Sequence, residues 1–356
     1  MKMEREGLLV PYSDAFKNAA DENNYYAKGA SPFIKNVFDN LEMSKDGEVM
    51  SDYAAGYMWG TLGIVYNPEV ISEEEAAHWD LITNNKFYRS VNFKDSVRDA
   101  YFAGAAIYYY DEITDPDFVN APDYHEKLSE VLNRTDENTV NGVEEILRKA
   151  KNNAYAIETD SGKADIVSGK AFSCEQWSGD AVYSMDQADE DGMELCYSAP
   201  EEGTNLWFDG WIMLKSGISQ DARKQQAAEA FVNFLSMPEN AIRNMYYIGY
   251  TSSISGGDSD LIYEYIDWNY GADEDENETV DYSIGYFFDM EDPDADERYT
   301  ITTTVDQTRR QLYAQYPTKD VVDRSVVMAC FDDEGNARVN RMWTNVRCFD
   351  LKSLFK

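Results

Sequence analysis

The sequence predicts an α/β protein with about two domains, and three observations carry that prediction. At roughly 150 residues per domain, 356 residues suffice for about two cores. Hydrophobic residues make up 43% and aromatics 14%, with 26 Tyr and 7 Trp, which is the composition of a folded chain rather than a disordered one. Along the chain, short runs rich in strand formers alternate with amphipathic helical stretches, and that alternation belongs to α/β sheet architectures.

The elements read in order as follows. Residues 2–7 are the last turn of a helix stopped by Gly7. Residues 21–46 are polar and Asn-rich, suited to loops and short helices. The compact apolar run 57–67, ended by Asn67-Pro68, is a buried strand. Ser72 with three following Glu opens a helix whose charges suit the macrodipole. Asp95 is the expected cap of a helix over residues 96–110. A polar stretch, 111–123, leads to helical spacing at 124–132 and a clear amphipathic helix at 143–151. Strands are expected at 154–158, 194–197 and 207–214, and short apolar pieces with Gly turns at 166–169, 171–177 and 181–185. The Ala-rich pattern over 221–237, with Phe231, Phe234 and Leu235, is the strongest helix in the chain, and Pro238 begins the next one at its first turn. Residues 271–298 carry 12 acids and one base with little periodicity and read as an exposed loop. A final amphipathic helix over 337–346 turns Val339, Met342 and Trp343 inward.

Charge narrows the function. Lys plus Arg number 31 against 67 Asp plus Glu, a formal charge of −36. A surface of that sign repels phosphate backbones and anionic headgroups, which argues against nucleic acid and membrane-surface partners. The same field concentrates cations at a cleft and makes a cationic ligand the first candidate; the plain alternative is solubility alone. No window approaches a membrane span, and residues 1–7 lack the apolar core of a signal peptide. The four cysteines, Cys174, Cys196, Cys330 and Cys348, either pair within 174/196 and 330/348 in an oxidising compartment or remain free thiols.

Catalytic constellations are thin, and an enzyme is not expected. The two histidines, His78 and His125, both fall in segments that read as exposed helix. No nucleophile elbow and no Gly-rich phosphate loop occurs, and the sequence gives no signature of a metal or cofactor. What stands out is aromatics beside carboxylates or Gly turns: Gln176-Trp177-Ser178-Gly179-Asp180, Leu206-Trp207-Phe208-Asp209-Gly210 and Tyr246-Tyr247-Ile248-Gly249-Tyr250. An ammonium is held well by a Trp or Tyr face plus a carboxylate, because the ring quadrupole attracts the cation while its methylene stem packs on the ring. Taken singly, each of these rings is as readily explained as core.

Four stretches, residues 57–64 (Tyr57-Met58-Trp59-Gly60-Thr61-Leu62-Gly63-Ile64), 95–99 (Asp95-Ser96-Val97-Arg98-Asp99), 178–181 (Ser178-Gly179-Asp180-Ala181) and 200–209 (Pro200 to Asp209), resemble the spermidine/putrescine-binding proteins of ABC importers. Phe231-Val232-Asn233-Phe234-Leu235 and Ile248-Gly249-Tyr250 follow in the family's order, so the resemblance covers most of residues 1–258. It implies a two-lobed, type II periplasmic-binding-protein-like fold whose lobes close over a linear polyamine, putrescine or spermidine. It also implies an extracytoplasmic protein, in the periplasm or at the cell surface, that delivers its ligand to a membrane permease. By motif, Trp177 and Trp207 would flank the methylene chain, Asp209 would pair with an amine and Tyr250 would line the cleft. Asp99 takes the family's acidic amine-binding position, Ser96 stands where some members have a second acid, and the family's glutamine contact falls on or near Met328. The chain enters at a helix that in the family follows the first strands, so the N-terminal lobe is expected to be incomplete, lacking strands that carry aromatic and hydroxyl ligands.

The resemblance fades after Ser259. It implies one lobe from residues 1–67 and 208–258 and a second from 68–207 and 259–356, with 271–298 as an acidic insertion. The alternative from a different functional class is a truncated or degenerate lobe with a sensing or protein-interaction role and no tight polyamine binding.

Overall fold

The computed structural model describes residues 2–41, 43, 47–218, 221–292 and 294–348. The chain divides into two compact units, one of Met1–Gly60, Phe208–Thr308 and Gln315–Lys319, the other of Thr61–Trp207, Arg309–Ala314 and Asp320–Lys356. Eleven strands are present among the described residues: β1 (Leu9–Val10), β2 (Ala54–Tyr66), β3 (Val91–Lys94), β4 (Ala156–Glu158), β5 (Ser173–Trp177), β6 (Cys196–Ser198), β7 (Thr204–Leu214), β8 (Thr251–Ser252), β9 (Thr279–Ser283), β10 (Thr300–Thr304) and β11 (Ser325–Val326). The long strands β2 and β7 each run from one unit into the other.

In the second unit the end of β2 pairs antiparallel with β5, Leu62 opposite Trp177 and Tyr66 opposite Ser173, and with β6. β5 continues in parallel to β3, and β3 to β4. Strands buried on both faces read as unbroken apolar runs, which is why residues 57–67 are legible as a strand. Helices cover this sheet. Glu137–Asn153 is capped by Asp136, and Asp333–Arg347 buries Val339, Met342 and Val346 while Trp343 is only partly covered. The core gathers Trp79, Phe87, Phe93, Tyr101, Phe102 and Leu147, and the Trp79 indole donates to the Gly203 carbonyl at 2.9 Å.

In the first unit the start of β2 pairs with β8, Trp59 opposite Thr251, and the end of β7 pairs with β1. Trp59 is fully buried. It meets Phe33 edge-on at 5.2 Å and stacks with Phe287 at 5.8 Å, and Phe287 in turn packs against Tyr316.

Several expectations are corrected. Residues 259–308 belong with the first unit rather than with 68–207, because Tyr286 and Phe287 join the Phe33–Trp59 aromatic core. Residues 61–67 belong with the second unit, since that part of β2 hydrogen-bonds β5 and β6. The acidic stretch 271–298 is not a plain loop: β9 and β10 form an antiparallel pair, and Gly285–Phe288 is a buried helical turn; Pro293 lies outside the described residues. Residues 181–185 sit inside a helix, Ser178–Glu190. Ser96, not Asp95, caps the Val97–Tyr108 helix. Phe231 and Phe234 on the Ala222–Leu235 helix are half exposed. His78 is half-buried and meets the buried Glu202 at 3.1 Å. All four cysteines are free.

Gly63 illustrates how tightly β2 is enclosed. A Cβ there would lie 2.4 Å from the Ser198 carbonyl oxygen and 2.4 Å from the Tyr197 ring, and neither backbone nor a fully buried tyrosine can give way. Gly63→Ala is expected to lower stability by about 1–3 kcal/mol, read as an earlier midpoint in urea unfolding; an unchanged midpoint would contradict the close approach.

Candidate functional site

In the second unit the site begins with the turn from β3 into the next helix. Ser96 adopts an extended backbone and its hydroxyl accepts from the Asp99 backbone N–H at 3.4 Å, capping the helix. That cap fixes Asp99 in the first turn, where it is 6% exposed. Its carboxylate accepts from the Asn205 amide at 3.5 Å and from the Trp177 indole. Burial raises the Asp99 pKa above the usual carboxylate range, opposed by the Ser96 hydrogen bond, the Lys94 charge and the Trp177 and Asn205 hydrogen bonds. Ser96, Asp99 and Trp177 are thus brought together.

The same corner holds residues that sequence reasoning missed. The last residue of β3, Lys94, is 1% exposed, and its Nζ stands 3.7 Å from the centroid of the Trp177 ring, within cation–π range. Its ammonium is 3.4 Å from Asp180 Oδ2, while Lys163 holds Asp180 Oδ1 at 3.0 Å. The Lys94 backbone N–H donates to Glu175 Oε2 at 3.0 Å. Glu175 is fully enclosed, its other oxygen has no hydrogen-bond partner, and burial pushes its pKa up to about 7. The signal for Lys94 was a lone charge closing a short buried strand, Val91-Asn92-Phe93-Lys94. A buried lysine is rare unless paired. Met328 packs against the core of this unit.

Trp207, half-buried, is the last residue of this unit on β7. In the first unit β7 continues to Asp209 and Trp211. Asp209 is exposed by surface, yet the atoms around it raise its carboxyl pKa through desolvation. Among the described residues no ion pair engages it. Its charge raises the pKa of Tyr57 after the larger effect of burial, and the Tyr57 ring lies 4.9 Å from Trp211, which meets Phe231 edge-on at 5.6 Å. Tyr57 and Trp211 were also missed, because both stand among aromatics that read as core. Tyr250 follows the Pro238–Ile248 helix, which ends on Gly249 in the left-handed region at φ 74°, and it leads directly into β8. It is half-buried.

Chemically, the second unit offers an indole with buried carboxylates, and the first offers a desolvated carboxylate with phenol and indole rings close by. Both suit an alkylammonium group. Among the described residues no group of His, Cys, Asp and Glu is arranged to hold a metal ion.

Comparison with known proteins places these features. The profile of the bacterial extracellular solute-binding proteins matches residues 4–260, well over half of the chain. The putrescine-binding periplasmic protein SpuD of Pseudomonas aeruginosa is 26% identical over 217 residues, 58% of this chain and 52% of that protein. The putrescine-binding periplasmic protein PotF of Escherichia coli is 26% identical over 199 residues, 52% of this chain and 47% of that protein. The chain therefore spans about half the length of the curated relatives it matches. The crystal structure of the spermidine/putrescine ABC transporter substrate-binding protein PotD from Streptococcus pneumoniae superposes with a TM-score of 0.61 at 21% identity, covering 97% of this chain and 80% of that one, a likeness of fold.

Glu175 gives the site a pH signature. Its folded pKa is raised above the unfolded value, so its contribution to stability is fully present below about pH 4.5 and is lost as pH rises through about 7. Glu175→Gln, which mimics the protonated form, should therefore gain on the wild type by on the order of 2–4 kcal/mol between pH 4.5 and 8. Paired urea melts across that range measure it; parallel curves would show that Glu175 titrates normally.

Proposed function

The chain belongs to the bacterial extracellular solute-binding protein family, and we propose that it is the component of an ABC importer that captures a linear polyamine, putrescine or spermidine, outside the cytoplasm and hands it to a membrane permease. The observation that carries this reading is Asp209. It is a carboxylate desolvated enough to have a raised pKa, with no cation paired to it among the described residues and with an aromatic pair, Tyr57 and Trp211, beside it. A desolvated carboxylate with no cation favours an ammonium that arrives from outside, and neighbouring ring faces favour the methylenes that come with it.

In this reading the first unit contributes Asp209 to an ammonium and Tyr250 to the methylenes, and the second unit contributes the ring faces of Trp177 and Trp207 and the acidic corner of Asp99 with Ser96. The formal charge of −36 raises the local concentration of a dication and speeds its capture. That charge also makes the on-rate fall as ionic strength rises. The relatives named above bind putrescine by their own descriptions, which agrees with a short, doubly charged ligand. Among the described residues no helix is long and apolar enough to cross a membrane.

Isothermal titration calorimetry with putrescine and spermidine tests the proposal. Binding is expected, and Asp209→Asn should weaken it by about tenfold or more, the usual worth of a hydrogen bond to a charged group. Trp207→Ala should weaken it by a similar factor, through lost ring contact. Absence of heat from a protein whose circular dichroism shows it folded would reject the reading in favour of a lobe with a sensing or interaction role.

A further inference from the structure

Tyr57 carries a hydroxyl that the first unit does not use. Its ring is half-buried and is placed by its neighbours. It lies 4.9 Å from the Trp211 ring at a tilt of 55°, and Trp211 is itself fixed by Phe231, edge-on at 5.6 Å, and by the Tyr12 hydroxyl, which donates to the Trp211 carbonyl at 2.9 Å. One residue earlier, the Gly56 N–H donates to the Tyr26 hydroxyl at 2.8 Å, which pins this stretch of β2. Buried phenols usually find a hydrogen-bond partner, and elsewhere in the same unit Tyr12, Tyr26, Tyr282 and Tyr286 all do. Among the described residues the Tyr57 hydroxyl has none.

The charge that reaches this hydroxyl is that of Asp209, and strand geometry brings the two together. Asp209 and Trp211 share a face of β7, and Trp211 packs on Tyr57. Gly210 between them lies so near β2 that an added Cβ would meet the Ala54 side chain and the Ala55 carbonyl oxygen at 3.4 Å. Asp209 likewise has no ion pair or hydrogen bond to another described residue. Burial first, and then the Asp209 charge, raise the Tyr57 pKa, so the phenol stays neutral and offers its oxygen as an acceptor beside the charged carboxylate. A primary ammonium has three N–H donors on one nitrogen, which two carboxylate oxygens and a phenol oxygen can satisfy; a tertiary ammonium has only one.

We infer that the Tyr57 hydroxyl accepts an N–H of the ammonium that Asp209 takes, which makes Tyr57 a specificity-determining residue and primary amines the class that this place selects over N-alkylated ones. The inference rests on the polyamine reading above and deepens it, and it concerns the first unit alone. Trp211 is a positioning residue, holding the phenol ring beside the carboxylate.

Calorimetry with putrescine and with N,N,N′,N′-tetramethylputrescine, on the wild type and on Tyr57→Phe, tests it, with urea melts of both proteins alongside. The wild type should bind putrescine about tenfold or more tighter than the tetramethyl compound. Tyr57→Phe keeps the ring and removes only the hydroxyl, so it should weaken putrescine by about tenfold, as loss of a hydrogen bond to a charged group does, and leave the urea midpoint where it was. A loss of less than about threefold overturns the inference and leaves the polyamine reading standing, as does a wild type that binds the two diamines within about threefold of each other. A lowered urea midpoint, or a Tyr57→Phe protein that does not fold, also overturns it, because the hydroxyl would then serve the fold. If the folded wild type binds no putrescine, the polyamine reading falls and the inference falls with it.

Discussion

Three carboxylates go under the surface in one corner of the second unit, and the rest of that site depends on how their charge is compensated. Asp99, Asp180 and Glu175 are all buried, in a chain whose other acids mostly stay in water. An isolated buried carboxylate costs several kcal/mol, so compensation is required before any of the geometry can exist. Lys94 and Lys163 supply it for Asp180, the Ser96, Asn205 and Trp177 hydrogen bonds supply much of it for Asp99, and Glu175 escapes it through a raised pKa. The compensation also sets backbone register. The Lys94 N–H bond to Glu175 ties β3 to β5 at the point where Val91 and Asn92 pair with Ser173 and Cys174.

The first unit solves a different problem. Its aromatic core around Trp59, Phe33 and Phe287 is apolar throughout, so it makes few electrostatic demands of its own. On β2 the strand period of two puts Trp59 on the pleat with Tyr57, the first wholly buried and the second half-buried beside Trp211. On β7 the same period gives Asp209 and Trp211 a shared face. The carboxylate there is held by strand geometry, with no ion pair to it among the described residues.

Much of this was legible in the sequence where one signal dominated. The run at 57–67 is apolar and β-branched, and it is a strand; Pro238 and Asp221 mark helix starts, and both helices begin there. The aromatic-acid pairs point to Trp177, Trp207 and Asp209 as candidates, and of these the structure sets Trp177 against Asp99. Elements set by tertiary context were not legible. Residues 181–185 look like a short apolar piece because the Ser178–Glu190 helix buries both its small and its polar residues, including Asp180 and Ser184, which erases helical periodicity. The 271–298 stretch reads as loop because its acids are exposed, while Tyr282, Tyr286 and Phe287, which place it, are three rings in a polar background. Lys94 was passed over because a lysine at a strand end usually reaches water, and nothing local says that its ammonium turns onto an indole.

A tethered ammonium and a ligand's ammonium differ in when they lose water. Lys94 is desolvated once, on folding, and its penalty falls on the stability of the protein; a ligand's amine is desolvated at every binding event, and its penalty falls on affinity. Placing the cation in the chain therefore puts its desolvation into folding, where it orders Trp177 and Asp180. The exchange has a consequence for discrimination. A site rejects an analogue most strongly when the analogue leaves a buried polar group unpaired, and with Lys94 in place Asp99 and Asp180 keep a cation nearby whether or not anything is bound.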